Sequence, residues 1–203
     1  MPTTDRITRR SALAGLAAAA ALVSASPARA VSIDAAKTLV AALAADLTNL
    51  VNSGRSANQL YGAFEGLLVR YGDMPAVAAS VLGPPWRTAD ASQRRAFVAA
   101  FQTYLSRKYG AQFREFQNAR IEVTGARDGG RAGVLVQTRV LRPGRESVAV
   151  DWQISDRSGS ARVVNLVIEG VSMLATERAE IGARLEAARG DVSTLTAQLK
   201  AGT

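Results

Sequence analysis

An α+β fold is predicted by three features read in chain order. Apolar residues keep helical spacing through the first half, alternate every second residue between about 120 and 169, and return to helical spacing near the C-terminus. From Ile33 to Val51 the apolar positions Leu39, Val40, Leu43, Leu47 and Leu50 recur at a helical period, and Asn52-Ser53-Gly54 stops the run. A second helix is expected from Ala57 to Tyr71, ending at Gly72. Asp73-Met74-Pro75 has the form of a cap with proline in the first turn of a short helix that reaches Leu82. Gly83-Pro84-Pro85 then breaks the chain. Asp90, with Gln93 three residues on, forms a capping box that opens the longest helix. Phe97, Phe101, Tyr104, Leu105, Tyr109, Phe113 and Phe116 follow as one broad aromatic stripe, with a bend expected at Gly110.

The second half changes period. Strands are expected over Arg120–Gly125, Val134–Leu141, Ser147–Ser155 and Ala161–Glu169, with turns at Asp128-Gly129-Gly130, Pro143-Gly144 and Ser158-Gly159. In the third strand Val148, Val150, Trp152 and Ile154 share one face, opposite Ala149, Asp151 and Gln153. In the fourth, Val164, Leu166 and Ile168 form the apolar face. Short connections between consecutive strands imply an antiparallel meander with one face buried. Two helices close the chain, the first carrying Leu174, Ile181 and Leu185, the second capped by Asp191 and carrying Leu195 and Leu199.

Residues 1–30 read as a cleavable export signal. Arg6, Arg9 and Arg10 give a positive start, an alanine-rich apolar stretch runs from Ala12 to Val23, and Pro27-Ala28-Arg29-Ala30 ends in small residues suited to cleavage after Ala30. The stretch is too short for a membrane span of about 20 residues. Thr8-Arg9-Arg10-Ser11 is compatible with the twin-arginine route as well as the general one. Residues 31–203 then form a single domain with 21 basic and 16 acidic residues, a net charge of +5. That charge suits anionic surfaces or acidic partners, and equally plain solubility. No basic run is interleaved with aromatics, so nucleic acid is not an expected partner.

The 203 residues include no histidine and no cysteine. This excludes Ser-His-Asp and Cys-His catalysis, histidine-ligated zinc, disulfides and thiolate chemistry. Glycine-rich nucleotide motifs and calcium-loop patterns are also missing, and no cofactor is expected.

Leu82-Gly83-Pro84-Pro85-Trp86-Arg87, Gln93-Arg94 with Phe97 and Phe101, Tyr104-Leu105 and Tyr109 together resemble the MlaC-type phospholipid carriers, also called toluene-tolerance proteins. Val167-Ile168-Glu169-Gly170-Val171-Ser172-Met173-Leu174 is similar to that family's strand-to-helix signature, and Arg178 and the closing Gly190-Asp191 segment fit as well. Two stretches depart from the pattern: Arg162-Val163-Val164-Asn165 lacks the usual aromatics, and Ala175-Thr176-Glu177 replaces a polar-aromatic step. The resemblance implies an NTF2-like curved antiparallel sheet packed against several helices, with acyl chains in an apolar cavity between them. It implies a periplasmic protein that shuttles phospholipid between an outer-membrane MlaA-like lipoprotein and an inner-membrane ABC transporter containing MlaD, maintaining outer-membrane lipid asymmetry. A related branch is associated with hopanoids, which makes a polycyclic lipid the alternative cargo.

Under that reading the sheet contributes Val136, Val148, Val150, Trp152, Ile154, Val164, Leu166 and Ile168 to the cavity wall. The helices and the closing signature contribute Leu67, Met74, Val77, Val81, Phe97, Phe101, Tyr104, Leu105, Val171 and Leu174. Arg87 and Arg178 are the candidates for a lipid phosphate. By periodicity alone each of these positions is equally compatible with ordinary core packing. A rival reading, an enzyme on the same cone-shaped fold, would need a buried carboxylate, and Asp151 and Glu169 are the sheet carboxylates that could supply it. A lipid-free envelope adaptor is the third reading.

Overall fold

The computed structural model describes residues 31–202; the export signal expected at 1–30 lies outside them. Helix α1 (Ile33–Val51) starts at Ser32, whose hydroxyl accepts from the Ala35 amide. Helix α2 (Ala57–Tyr71) follows, and α3 (Met74–Leu82) is capped by Asp73 with Pro75 in its first turn. The Gly83-Pro84-Pro85 break contains one helical turn, α4 (Pro85–Thr88). Helix α5 (Ala91–Gly110) opens on the expected capping box, in which Asp90 accepts from the Ser92 and Gln93 amides. Among the described residues no helix is long and apolar enough to cross a membrane.

Helix α5 ends at Gly110 instead of bending there, and Phe113 and Phe116 lie on a separate 3-10 turn, Phe113–Phe116. The aromatic stripe therefore belongs to two elements. At the last residue of α5 the Tyr61 ring of α2 packs so tightly on Gly110 that a Cβ would lie 2.7 Å from it, so the position requires glycine. Phe113 turns back onto α2, edge to face with Phe64 at 4.7 Å.

The sheet is a five-stranded antiparallel meander in the order β1 (Arg120–Asp128), β2 (Val134–Leu141), β3 (Val148–Ser155), β4 (Arg162–Ile168), β5 (Val171–Ser172). The central register places Thr138 opposite Val150, Val136 opposite Trp152, and Leu166 on the other side of Trp152. Strand β5, unseen in the sequence, is joined to β4 by the two-residue turn Glu169-Gly170, both with positive φ, the geometry of a tight hairpin. Gly170 thus makes a hairpin turn, and Ser172 then caps α6 (Met173–Ala187) through the Ala175 amide. Helix α7 (Val192–Ala201) is capped by Asp191 as expected.

The buried residues fall into two clusters, not one. The first joins α3, α5, α6 and α7 around Phe97, Phe101, Ile181, Leu195 and Leu199. The second joins α1 and Tyr71 of α2 to the sheet around Val40, Val136, Val150, Trp152 and Ile154. The α2–α3 junction links the halves: the Asp73 amide donates to the Val163 carbonyl at 2.9 Å, and Arg162 donates back to the Arg70 carbonyl.

Candidate functional site

Between the two cores lies a cavity of about 310 Å³, at the lower end of the range for ligand sites. Its walls come from both: Met74, Phe101 and Leu105 from the helical core, and Leu43, Tyr71, Val150 and Trp152 from the sheet core. Strand β4 shows what the gap does to packing. All seven of its residues are half-buried, and five of them, Val163, Val164, Asn165, Leu166 and Ile168, border the open space. Among the described residues, apart from its tyrosines and Trp152, the wall is polar only at Thr48, Gln112, Asn165 and Glu177.

The Trp152 and Tyr71 polar atoms beside the apolar wall are tied into the fold. The Trp152 indole N–H donates to the Thr138 hydroxyl at 2.9 Å, and that hydroxyl donates to the Val150 carbonyl at 2.9 Å. This chain fixes the indole against the cavity. Thr138→Val would leave a buried N–H without an acceptor, an expected loss of about 1–3 kcal/mol. The check is a lower urea midpoint with an unchanged m-value. The Tyr71 hydroxyl donates to Asp46 of α1 at 2.6 Å, which, with burial, pushes its pKa up from 10.0.

Helix α6 and the end of α5 meet beside the cavity in a cluster of charges, of which Glu177 reaches the wall. Lys108 pairs with Glu177 at 2.7 Å and with Glu180 at 2.5 Å, and Glu180 also pairs with Arg184 at 3.2 Å. Burial alone would lower the Lys108 pKa, but its hydrogen bonds to Glu177, Glu180 and Tyr104 outweigh that and raise it. The hydrogen bond from Lys108 pulls Glu180 down to about 2 from 4.5. Burial first, and then the hydrogen bond to Glu177, push the Tyr109 hydroxyl up.

Of the expected wall residues, Leu67, Met74, Val77, Phe101, Leu105, Val148, Val150, Trp152, Val164, Leu166, Ile168 and Leu174 line the cavity. Six others do not. Val81, Phe97 and Tyr104 pack into the helical core, on the side of α3 and α5 turned toward α6 and α7. Val136 and Ile154 sit where Ala36 and Val40 of α1 close on the sheet. Val171 is 54% exposed on the two-residue edge strand.

Neither arginine proposed for a head group reaches the wall. Arg87 is exposed on α4, and its carbonyl accepts from Arg94. Arg178 is exposed on α6, with its guanidinium beside Gly83. One residue on from Glu177, it is carried about 100° round the helix, away from the inward stripe. The two carboxylates considered for catalysis are likewise outside the cavity. Asp151 is on β3 but not in the wall, and Glu169, expected in a strand, is in the β4–β5 turn, where it accepts from the Ala149 amide. The carboxylate that does reach the wall, Glu177, is one the sequence reading passed over as a site residue. Phe64, Tyr109 and Met173 were also missed, although Phe64 falls at helical spacing with Leu60, Leu67 and Tyr71.

The fold and the site define an α+β binding protein whose interior is an apolar cavity between a sheet and a helical layer. A sequence model of the MlaC protein family matches residues 37–201, and the chain belongs to that family. In structure it is similar to a phospholipid-binding protein from Ralstonia solanacearum, solved in complex with a phospholipid. The two align with a TM-score of 0.70 at 19% identity, over 82% of this chain and 96% of the other, a likeness of fold.

Proposed function

We propose that this protein is a periplasmic carrier that holds phospholipid acyl chains in the cavity between its two cores. It would pass them between an outer-membrane MlaA-like lipoprotein and an inner-membrane ABC transporter containing MlaD, and so help to keep the outer membrane asymmetric. One observation carries the reading: the apolar faces of sheet and helices do not merge into one core, and the gap between them is walled by hydrocarbon side chains.

Each acyl methylene is worth about 0.8 kcal/mol on leaving water. A diacyl lipid of some 30 methylenes therefore loses on the order of 20 kcal/mol if exposed during transfer. A wall of Leu, Val, Ile, Met and aromatic side chains replaces the membrane interior for such chains without a chemical step. Membership of the MlaC family and the phospholipid bound by the Ralstonia protein support the choice of cargo.

Organic extraction and mass spectrometry of protein purified from its native envelope test the proposal. Stoichiometric phospholipid is the expected result. A polycyclic lipid in its place would move the cargo to the hopanoid class, and a protein with no bound lipid would refute the carrier.

A further inference from the structure

Among the described residues the cavity wall contains one carboxylate, Glu177, in a residue only 3% exposed. Its two oxygens are treated differently. Oε1 accepts from Lys108 Nζ at 2.7 Å and from the Tyr109 hydroxyl at 2.5 Å. Oε2 is buried and has no hydrogen-bond partner among the described residues. The nearby donors are already committed. Lys108 has three N–H groups and three acceptors, namely Tyr104 Oη at 3.0 Å, Glu177 Oε1 and Glu180 Oε2. The single hydroxyl proton of Tyr109 goes to Oε1. A buried carboxylate oxygen without a donor is destabilising, and this one belongs to a residue of the cavity wall.

Charge decides what kind of donor can relieve it. Lys108 and Arg184 face Glu177 and Glu180, two cations against two anions, so the cluster is balanced. A cation brought in beside it would add an unmatched charge to an apolar space, and an anion would meet the bare carboxylate oxygen. A neutral O–H adds a hydrogen bond and no charge.

We propose that Glu177 is a selectivity point in the cavity wall, accepting a hydrogen bond from a hydroxyl group on the bound amphiphile. The protein then prefers a hydroxylated lipid to its deoxy counterpart. This rests on the carrier function proposed above.

The hydroxyl can belong to an acyl chain or to the head group, and matched lipid pairs tell the two apart. The delipidated protein is titrated, by displacement of a fluorescent phospholipid, with palmitoyl-ricinoleoyl against palmitoyl-oleoyl phosphatidylcholine. It is then titrated with dioleoyl phosphatidylglycerol against dioleoyl phosphatidylpropanol. A hydrogen bond to a charged acceptor predicts about tenfold tighter binding of the hydroxylated member. A preference in the first pair places the hydroxyl on the chain, and in the second on the head group. Glu177→Gln keeps the shape and keeps an oxygen for Lys108 and Tyr109, but turns the free corner into an N–H donor. It is expected to abolish the preference.

Equal affinities within both pairs overturn the proposal even if no variant folds, as does a preference that survives in Glu177→Gln. Failure of the unaltered protein to bind any of the four lipids is a different result, which removes the carrier reading and this inference with it.

Discussion

Leu166→Trp is expected to yield a well-folded protein that has lost its lipid. Leu166 points from β4 into the cavity, is only half-buried, and pairs across the sheet with Trp152. An indole there occupies space that acyl chains would otherwise take. In the delipidated state it gains apolar burial worth about 1 kcal/mol, which for a domain of this size raises Tm by about 2–4 °C. Co-purifying lipid should fall at least about tenfold, since a ligand that must displace a packed ring forfeits that gain and its own contacts. Opposite signs for stability and retention separate a binding cavity from a structural core. Calorimetry on delipidated protein, together with lipid quantification, reads both. If lipid content is unchanged in a more stable Leu166→Trp protein, chains do not occupy this part of the interior.

Lys108→Met is expected to be the most destabilising change in the charge cluster, by about 3–5 kcal/mol at neutral pH. It strands Glu177, whose side chain is 5% exposed, without a cation and leaves Glu180 with Arg184 alone. The pH dependence follows from the direction of each shift. Glu180 is held at about 2 when folded against an ordinary 4.5, so its contribution is complete above about 4.5 and lost as pH falls toward 2. Lys108 is raised above its ordinary 10.5, so its contribution is complete below about 10.5 and lost as pH rises through the higher folded value. The cluster therefore stabilises from about pH 4.5 to about pH 10.5. Urea midpoints should differ most between Lys108→Met and the unaltered protein at pH 7, and should converge as pH falls toward 2 and the Glu180 contribution is lost. Coincident midpoints at pH 7 would show that the ammonium contributes nothing net.

The helices were legible because their ends are written locally. Asn52-Ser53-Gly54, Gly72, Asp73-Met74-Pro75 and the Asp90/Gln93 box set the bounds of α1, α2, α3 and the start of α5. The role of Gly110 at the end of α5 was not, since the ring that requires a glycine there comes from α2 and no local pattern announces it. The cavity was legible only as an inward direction. Periodicity says which side chains turn away from water, but not whether they meet anything there. Phe97 and Phe101 are one turn apart and both fully buried, yet only Phe101 borders the gap. Val136 and Trp152 are paired across neighbouring strands, and only Trp152 does. Glu177 could have been found: it stands three residues after Leu174 and four before Ile181, on the inward stripe of α6. A charged residue on such a stripe needs partners, and asking for them leads to Lys108 and Tyr109.

The division of the interior into two cores has a mechanical consequence. Unfilled interior volume is eliminated when a chain unfolds, so hydrostatic compression acts against the empty form more strongly than against one whose interior is occupied. Loading then hardens the molecule and unloading softens it. The two states of a single carrier would differ in compressibility even if the backbone kept one shape.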